Sequence, residues 1–183
     1  KQKWIVRGIE PNEKARGQAL IKLPDQIVPS LDKLPTNETY DVITLFHVLE
    51  HIHKLRKTLK NIINHLKSEG YLVIAVPNPL SADAKYYGNY WAGYDVPRHL
   101  SHFSKKSIAV LQEEFNLELA ETKPMIFDSY YVSLLSEGYK NPNQSQFSRY
   151  WKALIQGFRS NRKAKVPGNY SSNIFIFKKK WNN

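Results

Sequence analysis

An α/β fold with a mostly parallel sheet is the class this sequence predicts, and three observations carry the prediction. Short β-type runs alternate along the chain with stretches of helical composition. The helical stretches run to ten residues or more, the length a crossover between parallel strands requires. Hydrophobic residues make up 42% of the 183 residues, enough to bury a core.

The elements follow in order. Trp4-Ile5-Val6-Arg7-Gly8-Ile9 is a first β-type run, closed by Glu10-Pro11-Asn12. Glu13–Lys22 has helical composition, with Pro11 placed just ahead of it. Residues 26–28 form a second short strand stopped by Pro29. Tyr40–Phe46 is nearly continuous in apolar residues, the pattern of a strand covered on both faces. Leu55, Leu59, Ile62, Ile63 and Leu66 then mark one face of an amphipathic helix, and Gly70 reads as its stop signal. Residues 71–76 are a fourth strand, and Ser104 is a fitting N-cap for a helix through Phe115. Residues 117–122 and 173–178 are the last two strands. Two stretches lack regular patterning: a connection over 77–103, rich in Tyr, Trp, Asn and His, and an insertion over 141–172.

Composition removes several function classes. With no cysteine there is no disulfide scaffold, thiolate metal site or cysteine nucleophile, and a reducing, cytoplasmic setting is compatible with that. No apolar run approaches the ~18 residues of a spanning helix. Lys1-Gln2-Lys3 leads straight into the first strand without a signal-peptide pattern. The net charge of +11 is unevenly placed: +4 over residues 1–70, −2 over 71–140 and +9 over 141–183, where no acid occurs. The basicity belongs to the last quarter, so the charge does not predict a nucleic-acid partner.

In an open parallel sheet, ligands sit at the carboxyl ends of the strands. Glu10, ending the first strand, could accept hydrogen bonds from the two hydroxyls of a ribose, or be a solvated acid at a helix N-terminus. After the third strand come His47, His51 and His53. They lack a further ligand at compatible spacing and nothing resembles His-Glu-x-x-His, so capping and packing roles, not a metal, are expected. The densest polar and aromatic cluster is Tyr90-Trp91-Ala92-Gly93-Tyr94-Asp95-Val96-Pro97-Arg98-His99-Leu100-Ser101-His102-Phe103. A histidine there could serve as a general base, or the polar groups could pin the loop to the sheet.

These pieces together carry a resemblance. Val6-Arg7-Gly8-Ile9-Glu10-Pro11-Asn12, Tyr40-Asp41-Val42-Ile43, Val48-Leu49-Glu50-His51 and Gly70-Tyr71-Leu72-Val73-Ile74-Ala75-Val76-Pro77-Asn78 resemble the class I S-adenosylmethionine-dependent methyltransferases. Trp91-Ala92-Gly93-Tyr94-Asp95-Val96-Pro97-Arg98-His99-Leu100, with His102-Phe103-Ser104, resembles a bacterial small-molecule branch. The resemblance implies a Rossmann-like sheet with an antiparallel last strand, S-adenosylmethionine as cofactor and a small-molecule acceptor. It implies that Glu10 binds the cofactor ribose and that Leu31 lies against the adenine. Ser30 stands where many members have an Asp for the adenine amino group. Phe46, His47 and Val48 would line the methionine end. His99 is the first candidate base, with His102, Tyr94 and Asp95 as neighbours.

The family begins with a strand and a glycine-rich turn. None of the eight glycines here forms Gly-x-Gly, and the resemblance starts at the family's second strand. That implies the C-terminal part of a longer enzyme, a fold incomplete at its N-terminus within one domain over 1–183. The rival reading is a non-catalytic, truncated methyltransferase fold that binds through its basic C-terminal segment.

That segment carries Phe147, Tyr150, Trp151, Leu154, Ile155 and Phe158 on one helical face, among Arg149, Lys152, Arg159, Arg162, Lys163 and Lys165. It could be a cap over the acceptor pocket or an interfacial helix on anionic membrane or lipid-linked substrate. The reading preferred on sequence is an aromatic face buried against the fold or against a second subunit in a homodimer.

Overall fold

The computed structural model describes residues 4–180; Lys1-Gln2-Lys3, the lead-in to the first strand, lies outside them. β1 (Gly8–Ile9) and β2 (Ile27–Val28) pair in parallel as a small separate sheet. α1 (Glu13–Lys22) connects them, with the Asn12 side chain accepting from the Ala15 N–H at 3.0 Å. The remaining strands are β3 (Tyr40–Phe46), β4 (Leu66–Pro77), β5 (Leu117–Pro124) and β6 (Ser172–Lys179). They form a four-stranded mixed sheet in the order β3-β4-β6-β5. β3 and β4 are parallel, while β6 runs antiparallel to both β4 and β5, as expected of the last strand.

Two helices build the core on this sheet. α2 (Leu55–Asn64) turns Leu59, Ile62 and Ile63 inward, and α4 (Lys105–Glu114) adds Ile108 and Leu111. They meet Leu72, Ile74 and Phe177 of the strands. Each such side chain contributes roughly 1.5–3 kcal/mol when fully buried. Ser104 caps α4 in a reciprocal capping box with Ser107.

Some expectations are corrected here. Gly70 does not stop the helix. α2 ends at Asn64 with His65 as its C-cap, and β4 has already begun at Leu66. Gly70 lies in a bulged stretch where a Cβ would come within 2.9 Å of the Lys67 carbonyl oxygen, so close backbone approach accounts for it. β3 is not covered on both faces: Val42 and Phe46, which share one face, are exposed. The 77–103 connection is not irregular throughout, because Ser81 caps α3 (Ala82–Tyr87) and two 3-10 turns follow. Two helices precede β6, α5 (Asp128–Lys140) and α6 (Gln146–Ala164). They pack as a hairpin so tight that a Cβ on Gly157 would meet Tyr130 at 2.6 Å.

The largest correction concerns α6. Its buried residues are Ala153, Gln156, Gly157, Ser160 and Ala164. Its aromatic face is open to solvent, with Phe147 81%, Trp151 60% and Phe158 57% exposed. Small side chains let α6 approach α5 closely, and that contact turns the large ones outward.

Candidate functional site

The carboxyl end of β3 delivers Phe46, His47 and Val48. His47 adopts a left-handed backbone at φ 51°, and its N–H donates to the Ala75 carbonyl at 3.0 Å. Its ring joins two acids: Nδ1 lies 3.2 Å from Glu50 Oε1 and Nε2 lies 3.1 Å from Asp128 Oδ2. The Asp128 hydrogen bond, then the Glu50 bond, outweigh burial and push the His47 pKa up to about 9. His47 is therefore a cation at neutral pH, with both ring nitrogens donating.

Glu50 is 1% exposed and links this corner to the loop above it. Its backbone carbonyl accepts from the N–H groups of Leu100 at 2.8 Å and Ser101 at 3.3 Å. Its Oε1 also lies 3.9 Å from His99 Nε2, and its Oε2 is buried without a partner. The His99 Nδ1 sits 3.0 Å from the Gly93 carbonyl, which assigns the proton to Nδ1 and leaves the Nε2 lone pair free. Asp95 Oδ2 is 3.9 Å from the same Nε2. Burial, ahead of all else, lowers the His99 pKa, so the ring is neutral near pH 7.

The loop is held from several sides. Asp95 has a left-handed backbone, its carbonyl accepts from the His99 N–H at 3.0 Å, and its Oδ1 receives Arg98 Nε and Nη2 at 3.1 and 2.6 Å. His102 Nε2 lies 3.0 Å from the Tyr94 carbonyl, and the Tyr94 ring packs edge-on against both Trp91 and His102. Trp91 Nε1 donates at 2.8 Å to Asp83 Oδ2, a carboxylate with no solvent exposure. Ser160 of α6 and Ser171 donate to the same carboxylate at 2.6 and 2.7 Å. Gly93 is obligatory here, because a Cβ would meet the Trp91 ring at 2.4 Å.

Residues 1–122 match the family model described as a methyltransferase domain. The chain belongs to that methyltransferase family. It is similar to the ubiquinone biosynthesis O-methyltransferase of Rickettsia canadensis (strain McKiel), 26% identical over 109 residues, which cover 54% of this chain and 44% of that protein. The protein of the same name from Rickettsia typhi (strain ATCC VR-144 / Wilmington) is 26% identical over 106 residues, covering 54% and 43%. The methyltransferase chain thus spans less than half the length of these relatives. Among solved structures, an S-adenosylmethionine-dependent methyltransferase of Thermotoga maritima superposes with a TM-score of 0.60 at 17% identity, covering 96% of this chain and 73% of that one. A plantazolicin methyltransferase solved with S-adenosylhomocysteine gives 0.55 at 15%, covering 96% and 67%. The cyclase SpnF gives 0.58 at 12%, covering 97% and 67%, so likeness at this level speaks for the fold alone. The family match supports no purely binding role.

Within this methyltransferase, Asp95 and His102 lie beside His99, and the Tyr94 ring lies against His102. Glu10 directly follows β1, while Ser30 and Leu31 follow β2. Glu10 Oε1 accepts from the Asn12 N–H at 2.8 Å, Ser30 opens a 3-10 turn, and Leu31 packs on the main core. The triplet His47, His51 and His53 does not assemble: His47 is engaged by Asp128 and His53 is exposed. Instead Glu50, His51 and His99 each place one ligand atom within 4.8 Å of the others. Asp128, Asp83 and the buried Glu50 are site residues that sequence reasoning missed. The signal for Asp128 was faint, an acid at the start of a helix with no strong apolar period.

Proposed function

We propose that this methyltransferase moves a methyl group from S-adenosylmethionine to a hydroxyl of a small acceptor, with His99 accepting the hydroxyl proton. One observation carries the reading: a neutral, mostly buried His99 whose Nδ1 is fixed by the Gly93 carbonyl and whose free Nε2 faces two carboxylates. When His99 takes the proton, Glu50 and Asp95, each at 3.9 Å, stabilise the imidazolium. General-base assistance of this kind contributes ~10²–10⁴-fold.

The residues present fit the cofactor's nucleoside end and its apolar surroundings. Glu10 is a partly exposed carboxylate at a strand end, with Oε1 already steadied by Asn12. Phe46 and Val48 leave apolar surface open at the end of β3, 49% and 42% exposed. When bound, S-adenosylmethionine supplies a sulfonium methyl group for in-line displacement. Glu10 would hold the ribose, Leu31 the adenine, and Phe46, His47 and Val48 the methionine end. The O-methyltransferase name of the relatives supports an oxygen acceptor, and the methyltransferase family match supports the cofactor.

The test is a pair of substitutions, read by S-adenosylhomocysteine release across a panel of phenolic acceptors and by calorimetric titration with S-adenosylhomocysteine. His99→Ala is expected to lower turnover at least a hundredfold and to leave cofactor affinity in place. Glu10→Ala is expected to weaken cofactor affinity more than tenfold, since hydrogen bonds to a charged group contribute ~1.5–3 kcal/mol. Full turnover in His99→Ala refutes the base. A second reading rests on the proximity of Glu50, His51 and His99, which suits a divalent cation. Turnover abolished by a chelator and restored by the metal would transfer the role of His99 from base to ligand.

A further inference from the structure

The solvent-facing side of α6 has no role in the site described above. Six large apolar residues, Phe147, Tyr150, Trp151, Leu154, Ile155 and Phe158, line it at 38–81% exposure. At 100° per residue they form one continuous stripe, opposite the small residues that pack on α5. Arg162 falls within the angular span of that stripe, Lys152, Arg159 and Lys163 lie to one side of it, and α6 contains no acid. Near the same end, Asn161 Nδ2 donates to the Ile126 carbonyl at 3.0 Å, next to Phe127, whose ring is 85% exposed.

We propose that this face of α6 docks the protein onto an anionic lipid surface, its aromatic stripe entering the headgroup boundary and its cations pairing with lipid phosphates. Three observations select this occupant. The stripe is too apolar and too continuous for a merely solvated face, and Trp and Tyr are the side chains that settle at the boundary between hydrocarbon and water. The charge along α6 has a single sign: the helix carries Arg149, Lys152, Arg159, Arg162 and Lys163 and no acid. A symmetric pairing of two copies through the stripe would bring those like charges together, whereas an anionic surface neutralises them. The stripe points away from the face of α6 that packs on α5. No helix among the described residues is long and apolar enough to cross a membrane. α6 lies beyond the 1–122 match, so this surface is independent of the methyl-transfer reading.

The experiment is co-sedimentation of the full chain with phosphatidylcholine vesicles, with and without phosphatidylglycerol, at low and high salt. Trp151 emission is read with brominated lipid as quencher. Binding to the anionic vesicles is expected, fading with salt because the Debye length contracts from ~10 Å at 0.1 M to ~3 Å at 1 M. Arg159→Glu with Arg162→Glu is expected to weaken partition at least roughly tenfold, as each cation near such a surface contributes about fivefold. Phe147→Ser with Phe158→Ser is expected to abolish quenching while circular dichroism shows the helix intact, since neither ring is buried. Trp151→Phe, which changes no charge, removes the quenching signal yet keeps sedimentation, and so guards against misfolding of the other variants. Absence of binding, equal binding to neutral and anionic vesicles, or partition unchanged by both variant pairs would overturn the proposal. So would a dimer in solution that the Phe147→Ser and Phe158→Ser pair dissolves, because the stripe's occupant would then be a second copy.

Discussion

Replacing Asp128 with asparagine removes the charge that does most to protonate His47, and the structure sets what the change should do to stability. In the folded protein the His47 pKa rises from 6.5 to about 9 through Asp128 first and Glu50 second. At 1.36 kcal/mol per pH unit that rise corresponds to roughly 3 kcal/mol. The imidazole is 37% exposed, however, so solvent screening reduces the contribution to about 1–2 kcal/mol. The folded state binds more protons than the unfolded chain between these two values. The stabilisation is therefore complete below about pH 6.5 and is lost as pH rises through 9. Urea unfolding across that window should show the wild-type chain losing about 1–2 kcal/mol on going alkaline. Asp128→Asn should flatten that decline, because its neutral amide no longer favours the imidazolium. An identical pH slope in the two proteins would refute the reasoning and relegate the His47–Asp128 contact to packing.

Two further perturbations probe the support of the His99 loop. Asp83→Ala leaves the donors of Trp91, Ser160 and Ser171 without their buried acceptor, at ~1–3 kcal/mol for each unmet group. A total loss of about 3–5 kcal/mol is expected in urea unfolding, and a loss below about 1 kcal/mol would show that the network contributes little. Gly93→Ala drives a methyl group into the Trp91 ring and should cost roughly 1–3 kcal/mol. It should also change the Trp91 fluorescence; unaltered stability and emission would show that the ring yields freely.

What the sequence disclosed and what it concealed divide along physical lines. The helical face of Leu59, Ile62 and Ile63, the Ser104 cap and the β3 boundaries are local patterns, and each is realised as read. The cluster around His99 was legible because Tyr94, Asp95, His99 and His102 are neighbours in the chain. Asp128 and Ser160 were not, because they reach the site only through the α5–α6 hairpin, and nothing local marks a residue that will matter at a distance. The α6 stripe shows the limit of periodicity. Offsets of three and four residues reveal that a helix is two-faced, but packing decides which face is buried. Here Gly157 and Ala153 allow closer approach than any aromatic ring could, and the amphipathic axis is inverted.

The Asp83 network also fixes when the site can come into being during synthesis. Its carboxylate reaches Ser160 and Ser171 across 77 and 88 positions of sequence. Contacts so far apart carry a large loop-closure cost and form late. A ribosome that has released the whole His99 loop still holds back α6 and β6, so Trp91 has its acceptor but the acceptor lacks its other two donors. The emerging chain can pack α2 against β4 early, whereas the Asp83 network is completed only once Ser160 and Ser171 have emerged. Order of synthesis thereby leaves the His99 loop without its full support until α6 and the residues just before β6 have emerged.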